Sequence, residues 1–353
     1  MDLIVATFGT RIRRQGEQIV VQMPRQGATM RYPARRLNRI LIIGRSSIST
    51  DAVRLAMKHN IDVAYIGKFG KPEARIVPSA PTGFTGVRHA QLRAAFLGGA
   101  FRFAKQFVLG KIKNQITIAT EMNRAGTATR RDLDMMKTAF DRASRAKNIG
   151  SLMSAEGHAA ERYFSGAWSR VFRYHGRNPD GKDIINIALN YGYGILYNEV
   201  ERAVLFAGLD PFIGILHSER YGKPSLVLDL VEEFRVSVVD AAILPLFANG
   251  LFERRDFSGS RSGYALGRSG RKKIIREIFA QLNRRVSWRQ RQRKLADAIT
   301  FQSQELARVL TGRVAKYEPF LGTKQLYEKS ISVNRRLVAE PKPKKRRYRR
   351  ATR

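Results

Sequence analysis

Residues 178–240 read NPDGKDIINIALNYGYGILYNEVERAVLFAGLDPFIGILHSERYGKPSLVLDLVEEFRVSVVD, a stretch that combines turn-forming residues, a His and a cluster of acids. Apolar side chains recur at helical spacing over residues 184–206, which predicts a long buried helix. Gly208 ends that helix, and Pro211 prevents it from restarting at once. A second helix is predicted over residues 225–239, after a Gly-Lys-Pro turn. The stretch therefore predicts two helices joined by a loop.

The acids of this stretch lie together in an otherwise basic protein. Asp229, Glu232 and Glu233 are predicted on one side of the second helix, with apolar residues on its other side. His217 precedes Glu232 by fifteen positions, in the loop between the two helices. The whole chain has 65 Lys and Arg against 29 Asp and Glu, whereas residues 217–240 contain five acids against three bases. This local acidity suggests a bound cation. The alternatives are a hydrogen-bonded core His and a solvated acidic helix face.

Composition limits the possible partners. The 353 residues have a net charge of +36, which favours a polyanion, and nucleic acid is the commonest one. No apolar run reaches the roughly 18 residues of a membrane-spanning helix, so no membrane partner is predicted. Cysteine is absent, which excludes disulfides and leaves His and carboxylates as metal ligands. The N-terminus lacks a signal-peptide pattern, and we expect a cytoplasmic protein.

The fold class predicted from the pattern is α+β with two domains. Residues 1–78 contain short β-branched runs at 3–8, 18–23, 39–43 and 61–66, separated by glycines, with one short helix that Ser49 or Thr50 caps. We expect a small β-rich domain that pairs subunits or supports a partner. A linker rich in Pro, Gly and Ser follows at 79–88. Residues 89–322 then form a larger all-α catalytic domain, and residues 323–353 form a basic, disordered tail.

One predicted helix of the second domain, residues 151–168, places a carboxylate in an apolar stripe. Glu156 shares its face with Leu152, Ala159 and Tyr163. An unpaired buried carboxylate costs several kcal/mol, so Glu156 needs a partner such as a metal or an Arg, unless it lies at the edge of the stripe and reaches water.

Together these side chains have the composition of a divalent-cation site. One His and several carboxylates on separate helices suit Mg²⁺ or Mn²⁺ in an enzyme that processes phosphodiesters. The candidate residues are Glu156, His217, Asp229 and Glu232.

Several motifs resemble the CRISPR-associated integrase family Cas1, which inserts new spacers into a CRISPR array. The motifs are LMSAEGHAAERYF at 152–164, GLDPFIGILH at 208–217 and SLVLDLVEEFR at 225–235, in the family's order. The stretch GRSSISTDAVRLAMKHNIDVAYI at 44–66, DFSG near 256 and YEPF near 317 also fit. The basic tail PKPKKRRYRRATR is outside the family's core pattern; it either adds affinity for DNA or is a solubilising end.

The resemblance implies a fold, a site and a reaction. It implies a β-rich N-terminal domain joined to an all-helical domain, in a homodimer that works with the small subunit Cas2. It places the metal ligands at Glu156, His217 and Glu232, with Asp229 as a further catalytic acid close to the metal. The implied reaction is a transesterification in which the 3′-hydroxyl of a short DNA fragment, the prespacer, attacks a phosphodiester at the edge of a CRISPR repeat.

Residues 271–294 are a second feature relevant to DNA, with ten bases, one acid and Trp288. Basic residues on helices interleaved with an aromatic suit contact with the phosphate backbone. The candidate DNA-binding residues are Arg284, Arg285, Arg289, Arg291 and Lys294. The alternative is a solvated face around a Trp that is anchored in the core.

Two other functions fit part of the sequence. Transposon-encoded relatives of the family integrate the ends of their own element, but they typically carry an added helix-turn-helix domain, and only 33 residues follow Phe320. A non-catalytic nucleic-acid-binding protein would explain the charge and leave the acidic stretch unexplained.

Overall fold

The N-terminal region consists of two small sheets and one helix. The computed structural model describes residues 1–67, 70, 72–77, 84–171, 174, 176–217, 223–260 and 263–331. The elements of this region are β1 (Asp2–Val5), β2 (Thr10–Gln15), β3 (Gln18–Met23), β4 (Ala28–Pro33), β5 (Arg39–Ile42), β6 (Ser46–Ile48), α1 (Thr50–Lys58), β7 (Asp62–Ile66) and β8 (Pro72–Ile76). The strand orders are β1-β5-β7-β8 and β4-β3-β2-β6.

The first sheet is parallel at its centre, since β1 and β7 both pair with β5 in parallel. All four residues of β5 are buried, as expected for a central strand covered on both faces. Helix α1 begins where the Ser49 side chain accepts a hydrogen bond of 3.2 Å from the Ala52 N–H. Of the two predicted capping residues, Ser49 is therefore the N-cap.

The C-terminal region is mainly helical. Its helices are α2 (Phe84–Phe96), α3 (Ala100–Arg124), α4 (Arg130–Arg145), α5 (Ile149–Glu161), α6 (Ile184–Phe206), α7 (Ser225–Val231), α8 (Ala241–Ala248), α9 (Arg268–Asn283), α10 (Leu295–Leu310) and α11 (Lys324–Ile331). The predicted fold class is confirmed. The region also contains two hairpins that the sequence analysis did not predict: β9 (Phe257–Ser260) with β10 (Gly263–Leu266), and β11 (Arg285–Trp288) with β12 (Arg291–Lys294).

The two predicted helices of residues 178–240 have different outcomes. Helix α6 has the predicted bounds, and fifteen of its residues are buried. The second prediction, one helix over 225–239, is wrong in length, because α7 ends at Val231 and a π-helical segment, Arg235–Asp240, follows a turn. Across that turn Glu232 contacts Arg235, while Glu233 accepts a hydrogen bond from Tyr317. The two neighbouring acids thus point to different partners.

The predicted boundaries of the linker and of the tail also differ from the structure. Helix α2 begins at Phe84, inside the predicted linker. Helix α11 lies inside the predicted tail, with Leu326 and Tyr327 buried. Arg284 donates to the carbonyls of Gln325 and Leu326 at 2.8 and 2.7 Å, which attaches α11 to the core. Residues 332–353, the rest of the predicted tail, lie outside the described residues.

Buried arginines join the β-rich region to α6. Arg39 of β5 forms ion pairs with Asp2 and with Glu199. Arg75 of β8 pairs with Asp62 at 2.6 Å and donates to the Asn198 carbonyl at 2.9 Å. Removing one partner of such a buried pair costs about 3–5 kcal/mol, so these contacts fix β5 and β8 against α6. Among the described residues, no helix combines the length and apolar content needed to cross a lipid bilayer.

Candidate active site

A cavity of about 560 Å³ lies between α3, α5, α6 and the segment that follows α7. It contains the two carboxylates that the sequence analysis selected from separate helices, Glu156 of α5 and Glu232. The other charged or amide side chains of its lining are Lys111, Gln115, Glu161, Arg177, Asn178, Arg235 and Asp240. The cavity is thus polar and charged, unlike a pocket for an apolar ligand.

Lys111 of α3 bridges the two carboxylates. Its ammonium donates a hydrogen bond to Glu156 Oε1 and lies 2.7 Å from Glu232 Oε2. The Glu156 side chain is only 16% exposed, so it has the partner that its place in an apolar stripe requires. That partner is a Lys, a possibility absent from the sequence analysis, and Glu156 is also partly exposed at the cavity.

Glu232 is held by a second cation. Arg235 donates from Nε to Glu232 Oε1 at 3.0 Å, and its other end donates to the Tyr197 hydroxyl at 3.2 Å. Burial acts to raise the pKa of Glu232, but Arg235 and Lys111 outweigh burial and lower the pKa to about 2. Glu232 is therefore an anion throughout the physiological pH range. The alternative in which Asp229 and Glu232 form a solvated helix face is wrong, because both are buried.

Asp229 holds the loop that carries His217. Its Oδ2 accepts the N–H groups of Ile215 and Leu216 at 2.5 and 3.0 Å. Its Oδ1 accepts the His217 N–H at 2.9 Å and lies 2.7 Å from His217 Nδ1. Both oxygens of Asp229 are thus used inside the protein, and the side chain is fully buried. Asp229 orients the imidazole, which leaves Nε2 of His217 as the ring nitrogen available to a ligand.

The structure brings part of the predicted metal site together. Glu156 and Glu232 share Lys111, whereas His217 is not among the described residues that line their cavity. Over the described residues, no three His, Cys, Asp or Glu side chains converge closely enough to hold a metal ion. In this conformation the Lys111 ammonium supplies the positive charge between the carboxylates.

The donor chemistry nevertheless fits a hard divalent cation. Two carboxylates and one imidazole nitrogen are ligands that Mg²⁺ and Mn²⁺ accept. Gln115 Oε1 is buried in the same cavity and has no hydrogen-bond partner among the described residues. An unpaired acceptor in a charged cavity suits a cation or a water bound to one. Sequence reasoning missed Gln115, Lys111 and Arg235, and no local pattern marks any of them.

The cavity also contains a carboxyl group, Asp240, whose pKa is raised. Asp240 accepts hydrogen bonds from Tyr193 and Tyr163 at 2.7 and 3.0 Å. Burial raises the pKa of Asp240 to about 6, although the two tyrosines lower it. The folded state therefore binds this proton more tightly than the unfolded chain, and the free energy of unfolding falls as pH rises from about 4 through about 6.

We expect Asp240→Asn to remove this pH dependence. A shift of about two pKa units corresponds to about 3 kcal/mol. The free energy of unfolding of wild type should fall by that amount, relative to the variant, between pH 4 and pH 7. Urea unfolding of both proteins across this pH range measures the difference. Parallel pH profiles of the two proteins would show that Asp240 does not titrate in this window.

The predicted DNA-binding residues lie on a hairpin and not on helices, which corrects the sequence analysis. In β11 the side chains of Val286 and Trp288 are buried and alternate with exposed ones. Arg284 holds α11 in place, and Arg289 pairs with Glu305 at 2.8 Å, so both have structural roles. The alternative of an anchored Trp is correct for Trp288, which packs edge-on against Phe301. The exposed candidates that remain are Arg285, Arg291 and Lys294.

The chain belongs to the Cas1 family. The family model described as CRISPR associated protein Cas1 matches residues 3–279. A CRISPR-associated endonuclease Cas1 of Thermus thermophilus is 32% identical over 327 residues, which are 91% of this chain and 99% of that protein. A CRISPR-associated endonuclease Cas1 of Pyrobaculum aerophilum is 36% identical over 245 residues, 67% of this chain and 80% of its own. The resemblance inferred from the motifs is confirmed.

Solved structures share the fold. A casposase bound to integration product has a TM-score of 0.78 at 24% identity, over 90% of this chain and 92% of that chain. A Cas1 protein from Thermotoga maritima has a TM-score of 0.73 at 19% identity, over 92% of this chain and 99% of that chain. A Cas6-RT-Cas1–Cas2 complex has a TM-score of 0.72 at 20% identity, over 91% of this chain and 36% of that chain. Because these sequence identities are all below 25%, the comparison with these structures supports the fold alone.

Proposed function

We propose that this protein is a DNA integrase and endonuclease of CRISPR adaptation. It joins the 3′-hydroxyl ends of short DNA fragments to the CRISPR array by transesterification, in the cytoplasm. The observation that supports the proposal is the ion-paired cluster of Glu156, Lys111 and Glu232, which come from three segments of a chain that belongs to the Cas1 family.

The proposed cofactor is Mg²⁺ or Mn²⁺, held by Glu156, His217 and Glu232. When bound, the cation polarises the scissile phosphate and stabilises the charge that develops during the displacement. Asp229 keeps the imidazole of His217 in one orientation, because its second oxygen is fixed by two backbone N–H groups. Glu232 remains ionised and therefore available as an anionic ligand.

Lys111 and Arg235 have a second proposed task. Both are cations in the cavity that holds the acids, and a phosphodiester brings its own negative charge there. We assign them the electrostatic stabilisation of the bound phosphate, which two carboxylates alone would repel. The reverse reaction and hydrolysis of DNA use the same residues.

The proposed partners are DNA and a Cas2 subunit. The casposase of similar fold is bound to an integration product, and another structure of similar fold is a Cas6-RT-Cas1–Cas2 complex. A net charge of +36 supports DNA as the partner of this chain. The fold does not separate CRISPR integration from integration of a transposon, and the identity to curated Cas1 proteins favours the former.

The β11–β12 hairpin is a proposed contact with the DNA backbone. Arg285 lies directly opposite Lys294 across the hairpin, and like charges in that position destabilise a strand pair. Duplex phosphates would relieve this repulsion. We expect Arg285→Ala/Arg291→Ala to weaken duplex binding and to lower the slope of log affinity against log salt by about 1.8, or about 0.9 for each lost contact. Fluorescence anisotropy at several salt concentrations measures both; an unchanged slope would remove the hairpin from the DNA path.

We propose that the protein is a homodimer, as its membership of the Cas1 family suggests. Within the described residues the outer strand β4 pairs on one side only, and its Met30 is 47% exposed, a surface suited to contact with a second copy. Light scattering in moderate salt should give about twice the chain mass of 40.0 kDa. A mass near 40.0 kDa at micromolar concentration would contradict the dimer.

The decisive test of the function is strand transfer. Purified protein, a 3′-hydroxyl oligonucleotide and supercoiled plasmid are combined with Mg²⁺ or Mn²⁺, and joined products are measured with and without a chelator. Products that form only with the metal support the proposal. Binding without any joined or cleaved DNA would favour a non-catalytic nucleic-acid-binding protein.

A further inference from the structure

A second cavity, of about 390 Å³, lies between the β-rich region and helices α6 and α9. Its described lining has no acidic residue and five basic ones: Arg25, Arg45, Arg268, Arg271 and Lys272. Among the described residues, none of these five side chains forms an ion pair with a carboxylate. Glu73, which is exposed, places its carboxylate beside Gly67 at the edge of the lining. Five positive charges around one cavity, none of them paired with a carboxylate within the described residues, repel each other, and a bound anion would relieve that repulsion.

The buried hydroxyl of Tyr191 is an independent indication of a ligand. Tyr191 is 3% exposed and lines this cavity, and its hydroxyl has no hydrogen-bond partner among the described residues. A buried polar group without a partner is rare, since it costs free energy comparable to a lost hydrogen bond. Burial raises the pKa of Tyr191 to about 12, so the group is a hydrogen-bond donor at neutral pH.

The start of α9 adds a third indication. Arg268, Arg271 and Lys272 lie in the first turn and a half of this 16-residue helix, and the first turn has no acid. The N-terminal end of a helix carries partial positive charge, so bases are unfavourable there and anions are favourable. The N-cap, Gly267, offers no side chain to the free N–H groups. Arg268, Arg271 and Lys272 therefore add positive charge to the cavity from the N-terminal part of α9, where a bound anion is favoured.

The cavity is separate from the active site. Tyr191 and Tyr193 are two residues apart on α6 and line the second and the first cavity respectively. Successive residues of an α-helix are rotated by about 100°, so these two side chains leave α6 on opposite sides. A ligand in the second cavity does not contact Glu156 or Glu232.

An exposed aromatic ring lies beside the basic groups. It indicates which class of anion the cavity binds. Phe8 lines the same cavity and is 41% exposed, and the guanidinium of Arg25 lies over its ring at 4.4 Å. A basic cavity beside an exposed aromatic ring is the combination with which proteins hold single strands, because phosphates meet cations and bases stack on rings. We propose that this cavity binds one phosphate of a single-stranded DNA segment, with an adjacent base stacked against Phe8.

The test uses the full-length protein and a fluorescein-labelled single-stranded 12-mer, titrated by anisotropy at several salt concentrations. We expect Arg45→Ala/Arg271→Ala to lose at least tenfold in affinity and to flatten the salt slope by about 1.4, or about 0.7 for each contact on a single strand. The matched control is Arg13→Ala/Arg54→Ala, which removes two exposed arginines of the β-rich region that do not line the cavity. It should change affinity less than threefold. Equal losses in the two variants would overturn the proposal.

Tyr191→Phe tests the site without removing charge. Phe keeps the buried ring, so the protein should fold as wild type by circular dichroism, and the affinity for the 12-mer should fall about threefold to tenfold. Unchanged affinity would overturn the role of the hydroxyl. Two competitors identify the source of the phosphate. Tighter binding of deoxyadenosine monophosphate than of the 12-mer would overturn the assignment to a single strand. So would a larger loss of affinity for a blunt duplex than for the 12-mer in the double variant Arg45→Ala/Arg271→Ala.

The inference rests on the proposed function only for the identity of the polyanion as DNA. Glu156→Gln should bind the 12-mer like wild type and fail in strand transfer. If the cavity variants bind normally while wild type still transfers strands, the cavity inference fails alone. If wild type transfers no strands while the cavity variants lose affinity, the proposed function fails alone.

Discussion

Glu156→Gln and Glu232→Gln should each lower strand transfer by about a thousandfold or more, since each removes an anionic ligand from the proposed metal site. Gln has nearly the shape of Glu, so the packing around α5 and α7 is kept. Glu232→Gln should also lower the free energy of unfolding, because both Lys111 and Arg235 lose an ion pair with Glu232. Unfolding in urea should therefore show a larger loss of stability for Glu232→Gln than for Glu156→Gln.

The control for this pair is Glu161→Gln. Glu161 lines the same cavity, but its side chain is 56% exposed and its ion pair is with the neighbouring Arg162. Its replacement should change strand transfer less than threefold, as exposed ion pairs contribute little. His217→Ala and chelation should abolish transfer as the two Gln variants do. Near-normal activity in Glu156→Gln, His217→Ala and Glu232→Gln together would refute the site.

The parts of the fold that follow from sequence are those with a strong local period. Helix α6 was predictable over its full length, because its apolar positions repeat for six turns and Gly208 and Pro211 end the pattern. Half of the strands in the N-terminal region were also predictable. Two of the four missed strands are β2, which has basic or polar residues at five of six positions and only Thr10 and Ile12 buried, and β4, which has no buried residue. Pairing with β3, and not apolar alternation, makes them strands.

Sequence reasoning anticipated two acids of the candidate site, Glu156 and Glu232, and none of its cations. Glu156 stood out because a carboxylate interrupts an apolar stripe, and His217, Asp229 and Glu232 stood out in an acidic window. Lys111 precedes Glu156 by 45 residues on a helix whose sequence gives no sign of that pairing. In a chain with 65 Lys and Arg, no composition argument separates one buried Lys from the exposed ones. Only the packing of α3 against α5 reveals it.

The hairpin of β11 and β12 was assigned wrongly for a different reason. Its dense basic residues were interpreted without regard to the spacing of its apolar residues. Val286 and Trp288 alternate with exposed residues, a spacing of two that indicates a strand. The density of bases nearby suggested a helix surface instead. Trp288 is buried against Phe301 because the hairpin turns its inner face to α10.

Asp229→Asn should separate a residue that positions a ligand from one that binds the metal. Asn keeps the shape of Asp229, but its amide has one acceptor oxygen where the carboxylate has two. At least one backbone N–H of the 215–217 loop then loses its partner, at a cost of about 1–3 kcal/mol in the free energy of unfolding. With the imidazole less well oriented, the Mn²⁺ concentration for half-maximal strand transfer should rise about tenfold to a hundredfold.

The control is Asp210→Asn in the preceding turn, where the carboxylate accepts one exposed hydrogen bond of 2.9 Å from the Phe212 N–H. This variant should match wild type in metal dependence and lose less than about 1 kcal/mol in stability. At saturating Mn²⁺, Asp229→Asn should recover most of its activity, since His217, Glu156 and Glu232 are all still present. Loss of activity at every metal concentration, to the level of Glu232→Gln, would place Asp229 in direct contact with the cation and refute the positioning role. An unchanged metal dependence together with unchanged stability would refute it as well, because the four contacts of Asp229 with the loop would then have no energetic consequence.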